Sequence, residues 1–298
     1  MDYRFIRQTE ERYALEIEKF LDLYRREKTL GLVLIPLLED VGAYLFWLRW
    51  VGWNISILGP ALFKDTDTAA ERLALAMLAY ASGRLIDDGL DDHATFKNHR
   101  KSLVGLLRGQ FPEAPARLAC VQSAFMGFCL FHYAVRRMDE CSHHDCAVIV
   151  SRLFDVASAG VLGECFVGSQ IDTELYWQIV RRKAVAYNMI LYKPLLVGVE
   201  KKLRLRLLSI LARMDELAQL LNDYNDLQED SNRGQLNAFT HGVYDHRSIN
   251  EEFLARAQQL KSEAVTLPPA IRDALKAMFE NVGINEFTGR RDEGESIP

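Results

Sequence analysis

Two groups of acidic and amide side chains have the types and spacing that suit binding of a metal ion. The first group is Asp87, Asp88, Asp91 and Asp92, and the second is Asn222, Asp223, Asp226 and Asp230. Carboxylate and amide oxygens are the ligands that hard divalent cations prefer, and Mg²⁺ is typically bound by one or two carboxylates together with substrate phosphates. The two groups therefore predict metal-assisted chemistry on a phosphorylated substrate.

The first group follows a mostly apolar, alanine-rich stretch that runs from Leu73 to Ile86. On a helix, Asp87 and Asp91 lie on one face, and like charges at this spacing repel each other. A bound cation would relieve that repulsion, whereas a solvated acidic helix end is the plainer interpretation of this group taken alone. A calcium-binding loop is excluded because the D-x-D-x-D-G spacing is missing.

The second group repeats at intervals of four residues, which places Asn222, Asp226 and Asp230 along one helix face over two turns. Asp223 lies about 100° round the helix from Asn222. We count it with the metal-binding residues, either as a ligand or as a residue that supports a ligand. Arg233 and Gly234 then end the helix. Two such groups, each after an apolar helix, favour facing helices of one bundle over two unrelated polar helix ends.

The elements that must position these groups are helices. Proline is scarce, at 8 residues, 49% of the residues are apolar, and no alternating pattern of any length predicts a strand. Apolar periodicity predicts helices over residues 3–28, 32–53, 68–92, 99–108, 115–138, 145–168, 173–199, 203–229, 248–264 and 268–283. The predicted fold is all-α: a single-domain bundle of long antiparallel helices around a central apolar pocket, covering residues 1–298 and ending in a flexible tail at 290–298.

Composition and charge argue against several classes of protein. The net charge of −5 gives no reason to expect nucleic acid as a partner. Five cysteines without framework spacing, and a charged N-terminus without an apolar signal segment, predict a cytoplasmic protein. The apolar stretch from Val41 to Phe63 is a candidate membrane span, but Arg49 near its middle would cost about 2.5–3.5 kcal/mol on insertion. We predict instead a buried helix followed by a loop, and no stable membrane span.

The acidic groups resemble the metal motifs of the class I isoprenoid synthase superfamily. Asp87, Asp88 and Asp91 match its aspartate-rich DDxxD motif. Asn222, Asp226 and Asp230 resemble the second metal motif of its terpene synthases, ND-x-x-S/T-x-x-x-E, with Asp in place of Ser or Thr and of Glu. Arg233, Gly234 and Asn237 stand where that family often has an Arg-Gly pair and a later Asn.

The second stretch also resembles the second DDxxD motif of chain-elongating prenyl synthases, if Asn222 replaces its first Asp. The resemblance to the superfamily spans roughly residues 70–240. It implies three Mg²⁺ ions, or Mn²⁺ in their place, that bridge the carboxylates and a substrate diphosphate. The implied substrate is an allylic prenyl diphosphate of C10–C20, which ionises with loss of diphosphate. Relatives are often dimers, which makes a homodimer a further expectation.

The resemblance also implies cationic side chains that bind the leaving diphosphate. Arg181, Arg182 and Lys183 lie where terpene synthases have a diphosphate-sensing Arg and elongating synthases have a Lys-Thr pair. Arg181 or Arg182 is the expected sensor, and the choice between them stays open. Arg233 and Arg290 are further candidates for substrate binding, although Arg291 stands where terpene synthases have the Tyr of an Arg-Tyr pair.

Two markers of the elongating branch are missing, namely an N-terminal Gly-Lys-Arg and an Arg-Arg-Gly shortly after the first acidic motif. In that branch they bind the diphosphate of isopentenyl diphosphate. Their absence favours a terpene synthase that makes a hydrocarbon or alcohol from one substrate. The alternative is a prenyltransferase that condenses a prenyl diphosphate with isopentenyl diphosphate or another acceptor. Head-to-head condensation and a non-catalytic subunit are less favoured. For either enzyme, substitution of Asp88 or Asn222 should abolish turnover and spare the fold.

Three glycines interrupt one predicted apolar helix at Gly160, Gly163 and Gly168. They indicate either the kinked helix that lines the pocket in this superfamily or close packing of another helix. Close packing requires a neighbouring segment directly against the glycine concerned.

Overall fold

The computed structural model describes residues 3–26, 38–64, 66–96, 100–233 and 235–284, and most of these residues are helical. The α-helices are α1 (Arg4–Arg26), α2 (Leu38–Trp47), α3 (Trp50–Ser56), α4 (Gly59–Leu62), α5 (Asp67–Leu90), α6 (Leu103–Gln110), α7 (Ala116–Glu140), α8 (His144–Cys165), α9 (Thr173–Val180), α10 (Ala186–Leu195), α11 (Lys201–Asn225), α12 (Leu227–Arg233), α13 (His246–Val265) and α14 (Pro269–Asn281). A π-helix, Arg181–Val185, joins α9 to α10. The all-α prediction is confirmed.

Two very short strands interrupt the helical chain after α5. Strand β1 (Thr95–Phe96) pairs antiparallel with β2 (Arg100–Lys101), and Thr95 lies opposite Lys101. The predicted helix at 99–108 therefore begins later, at Leu103, where the Ser102 side chain accepts a hydrogen bond from the Gly105 N–H. A serine in this position satisfies an amide that the helix itself leaves unpaired, which explains the observed start.

Backbone contacts group the chain into two compact units. The first comprises Met1–Arg152 with Lys193–Val197, and the second comprises Leu153–Tyr192 with Gly198–Pro298. The single-domain organisation over 1–298 stays a prediction, and the tail at 290–298 lies outside the described residues.

The first unit is built around α5, which packs against α1 and α7. Most of the alanine-rich part of α5 is fully buried, in agreement with its apolar sequence. Helix α7 lies so close to α5 that a Cβ on Gly127 would come within 2.6 Å of the Ser82 carbonyl oxygen. Small residues at the crossing therefore permit the tight packing that fixes the last turn of α5.

A buried ion pair adds a polar anchor between α1 and α7. The Glu16 carboxylate accepts hydrogen bonds from Arg137 Nε and from the Tyr133 hydroxyl, each at 2.9 Å. Burial alone would raise the pKa of Glu16, but the hydrogen bonds from Arg137, Lys19 and Tyr133 outweigh it and lower that pKa. The carboxylate is thus kept ionised by its donors.

The second unit is organised around α11, which packs against α13 and against the π-helix. The π-helix also lies directly against α8, because a Cβ on Gly160 would come within 2.5 Å of the Lys183 amide nitrogen. By contrast, a Cβ on Gly163 or Gly168 would meet no atom within 4 Å. Close packing therefore explains Gly160 only.

Three predicted helices are divided in the structure, one of them the helix predicted at 203–229, which is divided at Asp226 into α11 and α12. The stretch from Val41 to Phe63 is not a helix followed by a loop but the three short helices α2, α3 and α4. The predicted helix 173–199 is interrupted by the π-helix, and Pro194 lies inside its last part. A π-turn holds one residue more than an α-turn, and apolar periodicity over so short a segment does not reveal it.

Two other helices, α7 and α8, are long and apolar enough to cross a membrane by length and composition alone. In their most apolar stretches, 39% and 33% of the residues are buried inside the protein. The core helices of water-soluble proteins meet the same criterion, so length and hydropathy do not decide the matter. The absence of a stable membrane span stays a prediction.

The contrast between two glycines of α8 gives a test of the packing. Gly160→Ala should destabilise the chain by about 1–3 kcal/mol, because the methyl group has to displace the π-helix backbone. Gly163→Ala is the matched control and should be neutral or stabilise by up to about 1 kcal/mol, because alanine is the better helix former. Urea unfolding followed by circular dichroism measures both. Equal free energies of unfolding for the two variants would contradict the described packing.

Candidate functional site

The first acidic cluster, defined as Asp87, Asp88, Asp91 and Asp92, lies at the C-terminal end of α5. The Asp91 N–H donates to the Asp87 carbonyl oxygen at 2.9 Å and closes the last helical turn. Asp92 follows with a φ of 56°, in the left-handed region, and its carboxylate pairs with Arg108. The chain therefore turns back sharply and keeps the carboxylates together at the helix end.

Asp88 is the fully buried member of the first cluster. Its Oδ1 accepts hydrogen bonds from Arg84 Nη2 at 2.7 Å and Nε at 3.0 Å, and its Oδ2 accepts one from the Tyr44 hydroxyl. Burial raises the pKa of Asp88, and the Arg84 charge opposes that rise. Both carboxylate oxygens are thus bonded to protein donors, which suits a residue that positions its neighbours.

From these contacts we expect that substitution of Asp88 also destabilises the fold, in contrast to the prediction from the sequence. Removal of this carboxylate leaves the Arg84 guanidinium and the Tyr44 hydroxyl without a buried acceptor, which is costly. The sequence did contain one indication that Asp88 is a supporting residue. Arg84 stands four positions before Asp88, and residues at this spacing lie on the same helix face and can form an ion pair.

Three other side chains come together where a cation fits. One ligand atom from each of Asp87, Asp91 and His93 lies within 4.8 Å of the other two. Asp87 also pairs with Arg84 at 2.8 Å. Two carboxylates and an imidazole in this arrangement have the donor chemistry of a divalent-cation site. His93 was not among the sequence-predicted ligands.

The second acidic cluster, defined as Asn222, Asp223, Asp226 and Asp230, lies where α11 passes into α12. The Asp226 N–H donates to the Asn222 carbonyl oxygen and the Asp230 N–H to the Asp226 carbonyl oxygen, each at 2.8 Å. The i to i−4 pattern thus continues across the junction at Asp226. Asn222 is exposed, while Asp226 and Asp230 are half-buried. The backbone therefore keeps these three residues at the helical spacing that the sequence predicts for a ligand face.

Asp223 is buried and supports the loop that follows α12. Its Oδ2 accepts hydrogen bonds from the Ala238 N–H at 2.7 Å and the Tyr176 hydroxyl at 2.8 Å, and its Oδ1 accepts one from Gln219. Burial raises the pKa of Asp223 to about 6. As with Asp88, every oxygen of this carboxylate has a protein donor, so the geometry suits the supporting role.

Asn237 ties the same loop to the second acidic cluster. Its side-chain amide donates to the Asp223 carbonyl oxygen at 2.6 Å and to Asp230 Oδ2 at 2.8 Å. The residue is fully buried. It therefore orients a predicted ligand without itself being one. Two residues lie between Asp230 and Asn237 that the sequence analysis also named. Arg233 ends α12, and Gly234 lies outside the described residues.

Two of the three predicted cations of the π-helix are held by buried or half-buried acids. Arg181 Nε bonds to Glu216 Oε1 at 2.7 Å, and Lys183 Nζ bonds to Glu164 Oε2 at 2.5 Å. Arg182 is exposed and has no acidic partner among the described residues. The π-turn directs the three neighbouring cations to different surroundings, and Arg182 is the one left available for an anionic ligand.

Glu216 is a shared partner that sequence patterns did not reveal. Its second oxygen bonds to Arg256 Nη1 at 2.6 Å, and the Arg256 guanidinium lies 4.0 Å from the centre of the Trp177 ring. The arrangement links α9, α11, α13 and the π-helix. To predict this network, one needs information about which distant residues are in contact, and a single sequence does not contain it.

A second buried acid, Asp215, lies on α11 before the cluster. Its Oδ1 accepts a hydrogen bond from the Tyr192 hydroxyl at 2.7 Å, and its Oδ2 makes no hydrogen bond with the described residues. Burial raises the pKa of Asp215 well above its usual value. The neutral acid is thus the form that this position favours.

Each unit also contains a cavity. In the first unit, a groove of about 720 Å³ lies between α1 and α7 and is lined largely by aromatic side chains, among them Phe20, Tyr24, Phe125, Phe128 and Tyr133. In the second unit, a cavity of about 340 Å³ is bordered by Arg182, Gln178 and Phe166. The predicted central apolar pocket stays a prediction. Arg290 lies outside the described residues.

Comparison with known proteins identifies the fold. No protein-family model matches the sequence, and no curated protein sequence matches it. Among solved structures, a polyprenyl synthase from Caulobacter crescentus CB15, complexed with calcium and isoprenyl diphosphate, matches with a TM-score of 0.69 at 14% identity, over 94% of this chain and 96% of that chain. A decaprenyl diphosphate synthase from Rhodobacter capsulatus matches with a TM-score of 0.69 at 12% identity, over 96% of this chain and 99% of that chain.

A third match is the heptaprenyl diphosphate synthase from Staphylococcus aureus, with a TM-score of 0.65 at 13% identity, over 95% of this chain and 98% of that chain. These similarities extend over nearly the full length of both partners in every pair. At such low identity they show the fold and not the activity. The helical bundle predicted from the sequence thus has the fold of these three prenyl synthases.

The raised pKa of Asp223 gives a test by pH. The folded chain keeps this proton up to about pH 6, whereas the unfolded chain loses it near pH 3.9, so the stabilising contribution is complete below about pH 4 and is lost as the pH rises to about 6. Between pH 4 and pH 7 the wild-type chain should therefore lose about 2–3 kcal/mol more stability than Asp223→Asn. Urea unfolding in EDTA measures this difference. Parallel pH profiles for the two chains would contradict the assignment.

Proposed function

We propose that this chain, which has the fold of the polyprenyl diphosphate synthases, is a metal-dependent enzyme that ionises an allylic prenyl diphosphate and transfers the prenyl group to an acceptor. The observation that carries the proposal is a combination of two features. The chain matches prenyl synthases over nearly its full length, and each of its units has an oxygen-rich cluster at the end of a long helix. A prenyl synthase with this fold binds calcium and isoprenyl diphosphate.

The clusters divide into binding and supporting residues. In the first cluster we assign Asp87 and Asp91 to the metal, and in the second Asn222, Asp226 and Asp230. Asp88 and Asp223 support them, because their oxygens are already bonded to protein donors. When bound, Mg²⁺ or Mn²⁺ supplies the positive charge that stabilises the departing diphosphate. The number of ions, three by the resemblance, belongs to the same proposal.

The cations of the π-helix are assigned by their existing partners. Arg182 is assigned to the diphosphate, since Arg181 and Lys183 are already paired with Glu216 and Glu164. A guanidinium donates two parallel hydrogen bonds to phosphate oxygens and remains charged at every relevant pH. Arg181 positions the π-turn through Glu216, and Lys183 does so through Glu164. Arg233 and Arg290 remain candidates for substrate binding on the resemblance alone.

A second function, that of a terpene synthase, is favoured by two sequence observations. Asn222, Asp226 and Asp230 keep the spacing of the terpene synthase metal motif, and the segment after the first cluster has no Arg-Arg-Gly. Both functions begin with loss of diphosphate from an allylic substrate. They differ in whether the prenyl group meets a second substrate, so one assay separates them.

The assay offers Mg²⁺ and C10, C15 or C20 prenyl diphosphates, each with and without isopentenyl diphosphate, to the purified full chain. Transfer to isopentenyl diphosphate predicts a longer prenyl diphosphate, with release of the allylic diphosphate group, only when isopentenyl diphosphate is present, and mass spectrometry detects it. A hydrocarbon or alcohol from the allylic substrate alone would establish the terpene synthase instead. No consumption of any allylic diphosphate, with or without acceptors, would overturn the proposal.

Substitutions in the same assay test the metal assignment. Asp87→Asn and Asn222→Ala should each lower kcat/KM at least about a hundredfold, equivalent to about 3 kcal/mol of lost transition-state stabilisation. Asp273→Asn on α14 is the control, because Asp273 is exposed and far along the chain from either cluster. Unchanged turnover in Asp87→Asn would refute the assignment of the first cluster.

The assignment of Arg182 is tested against its neighbour. Arg182→Ala should lower kcat/KM about a hundredfold and change stability by less than about 0.5 kcal/mol, since its side chain has no acidic partner to lose. Arg181→Ala should cost about 1–2 kcal/mol of stability, because the buried Glu216 keeps only Arg256. Steady-state kinetics and urea unfolding give both values. The reverse pattern would show that Arg181 is the residue that binds diphosphate.

A further inference from the structure

His93 lies directly beside the first acidic cluster and is held there by its backbone. The left-handed conformation of Asp92 reverses the chain, and the His93 N–H donates to the Asp88 carbonyl oxygen at 2.9 Å. The Ser102 hydroxyl donates to the His93 carbonyl oxygen. The main chain of His93 is therefore anchored on both sides, to the end of α5 and to the start of α6.

The imidazole completes a set of three ligand-type side chains. A nitrogen of His93 and one oxygen from each of Asp87 and Asp91 lie within 4.8 Å of one another. Of the two remaining carboxylates, Asp88 is fully buried and accepts hydrogen bonds on both oxygens, and Asp92 pairs with Arg108. The side chains that converge on one point at the end of α5 are thus two carboxylates and one imidazole.

The His93 ring also contacts the arginine of the same helix end. His93 Nδ1 lies 3.3 Å from Arg84 Nη2. A guanidinium has only donors, so this contact is a hydrogen bond in the tautomer whose Nδ1 is unprotonated. A metal ion binds imidazole through such an unprotonated nitrogen. Arg84 thus lies against both Asp87 and His93.

We propose that His93 is a third ligand, through nitrogen, to the metal ion of the first acidic cluster. The inference rests on the proposed function, which places a divalent cation at Asp87 and Asp91. Imidazole suits first-row transition metals, whereas Mg²⁺ prefers oxygen ligands. The first cluster is therefore a site for Mn²⁺, Co²⁺ or Fe²⁺ in preference to Mg²⁺, and the second cluster, which has only oxygen ligands in the proposed set, carries no such preference.

Pulsed electron paramagnetic resonance of bound Mn²⁺ tests the ligand directly. The full chain carries Asp226→Asn and Asp230→Asn, so that Mn²⁺ binds at the first cluster only. This parent should show modulation of the electron spin echo by a directly bound ¹⁴N nucleus. The modulation should change frequency when the histidines are labelled with ¹⁵N, a result that requires no further substitution.

Two added substitutions make the assignment specific. His93→Asn should abolish the nitrogen modulation and raise the Kd for Co²⁺ about tenfold, while the Kd for Mg²⁺ changes less than about twofold. His144→Asn is the control: this exposed histidine pairs with Asp139 on the surface, and its loss should change none of these values. No nitrogen modulation in the parent, or modulation that persists in His93→Asn, would overturn the proposal.

Turnover of prenyl diphosphate by the chain without these substitutions separates this inference from the proposed function. Turnover with Mg²⁺ and no nitrogen modulation in the parent would exclude His93 as a ligand and leave the function supported. Nitrogen modulation without turnover of any prenyl diphosphate would support the ligand and exclude the function.

Discussion

Several carboxylates at the end of one buried helix repel one another, and the fold has to offset that repulsion before any metal ion binds. Both acidic clusters solve this problem in the same way. One aspartate of each cluster, Asp88 or Asp223, is withdrawn from solvent and receives hydrogen bonds on both oxygens. In each case one donor is a tyrosine hydroxyl, from Tyr44 or Tyr176. The remaining acids of each cluster are half-buried or exposed.

The cost of burying those two carboxylates accounts for much of the surrounding structure. Asp88 needs the Arg84 guanidinium, and the tight packing of α5 against α7 at Gly127 holds the helix that carries both residues. Asp223 is the acceptor for the chain that returns after α12, so the loop at Ala238 has the same anchor. An uncompensated carboxylate in either place would be strongly unfavourable.

The sequence predicted the helical bundle and both clusters, because each depends on local spacing. Intervals of three and four residues place Asp87 with Asp91 and Asn222 with Asp226 whatever the tertiary structure. The same spacing does not tell a ligand from a buried support, since that depends on donors from distant parts of the chain, such as Tyr44 for Asp88. His93 was missed because a left-handed residue brings it back to the cluster, and a single aspartate in that conformation has no sequence signature.

The pairs of the π-helix were hidden for a related reason. Glu164 and Glu216 lie on other helices, and nothing in their neighbourhood distinguishes them from ordinary surface acids. The division of the stretch 41–63 into three short helices was likewise not visible, because apolar composition is the same in one long helix and in several short ones. Local sequence spacing predicts which residues share a helix face. Tertiary packing determines which residues of other helices that face contacts.

The π-helix at Arg181–Val185 has a consequence for how such a chain can change by descent. A π-turn differs from an α-turn by one inserted residue. Loss of a single codon here would restore a regular α-helix while its two halves kept their relative orientation, because the residue lost is the one that the π-turn holds in excess. Arg181, Arg182 and Lys183 would then exchange surroundings, while the hydrogen bonds on either side stayed intact. Deletion of one residue at this point would therefore change, in one step, which cation pairs with which acid. Point substitutions would need several steps to produce the same change.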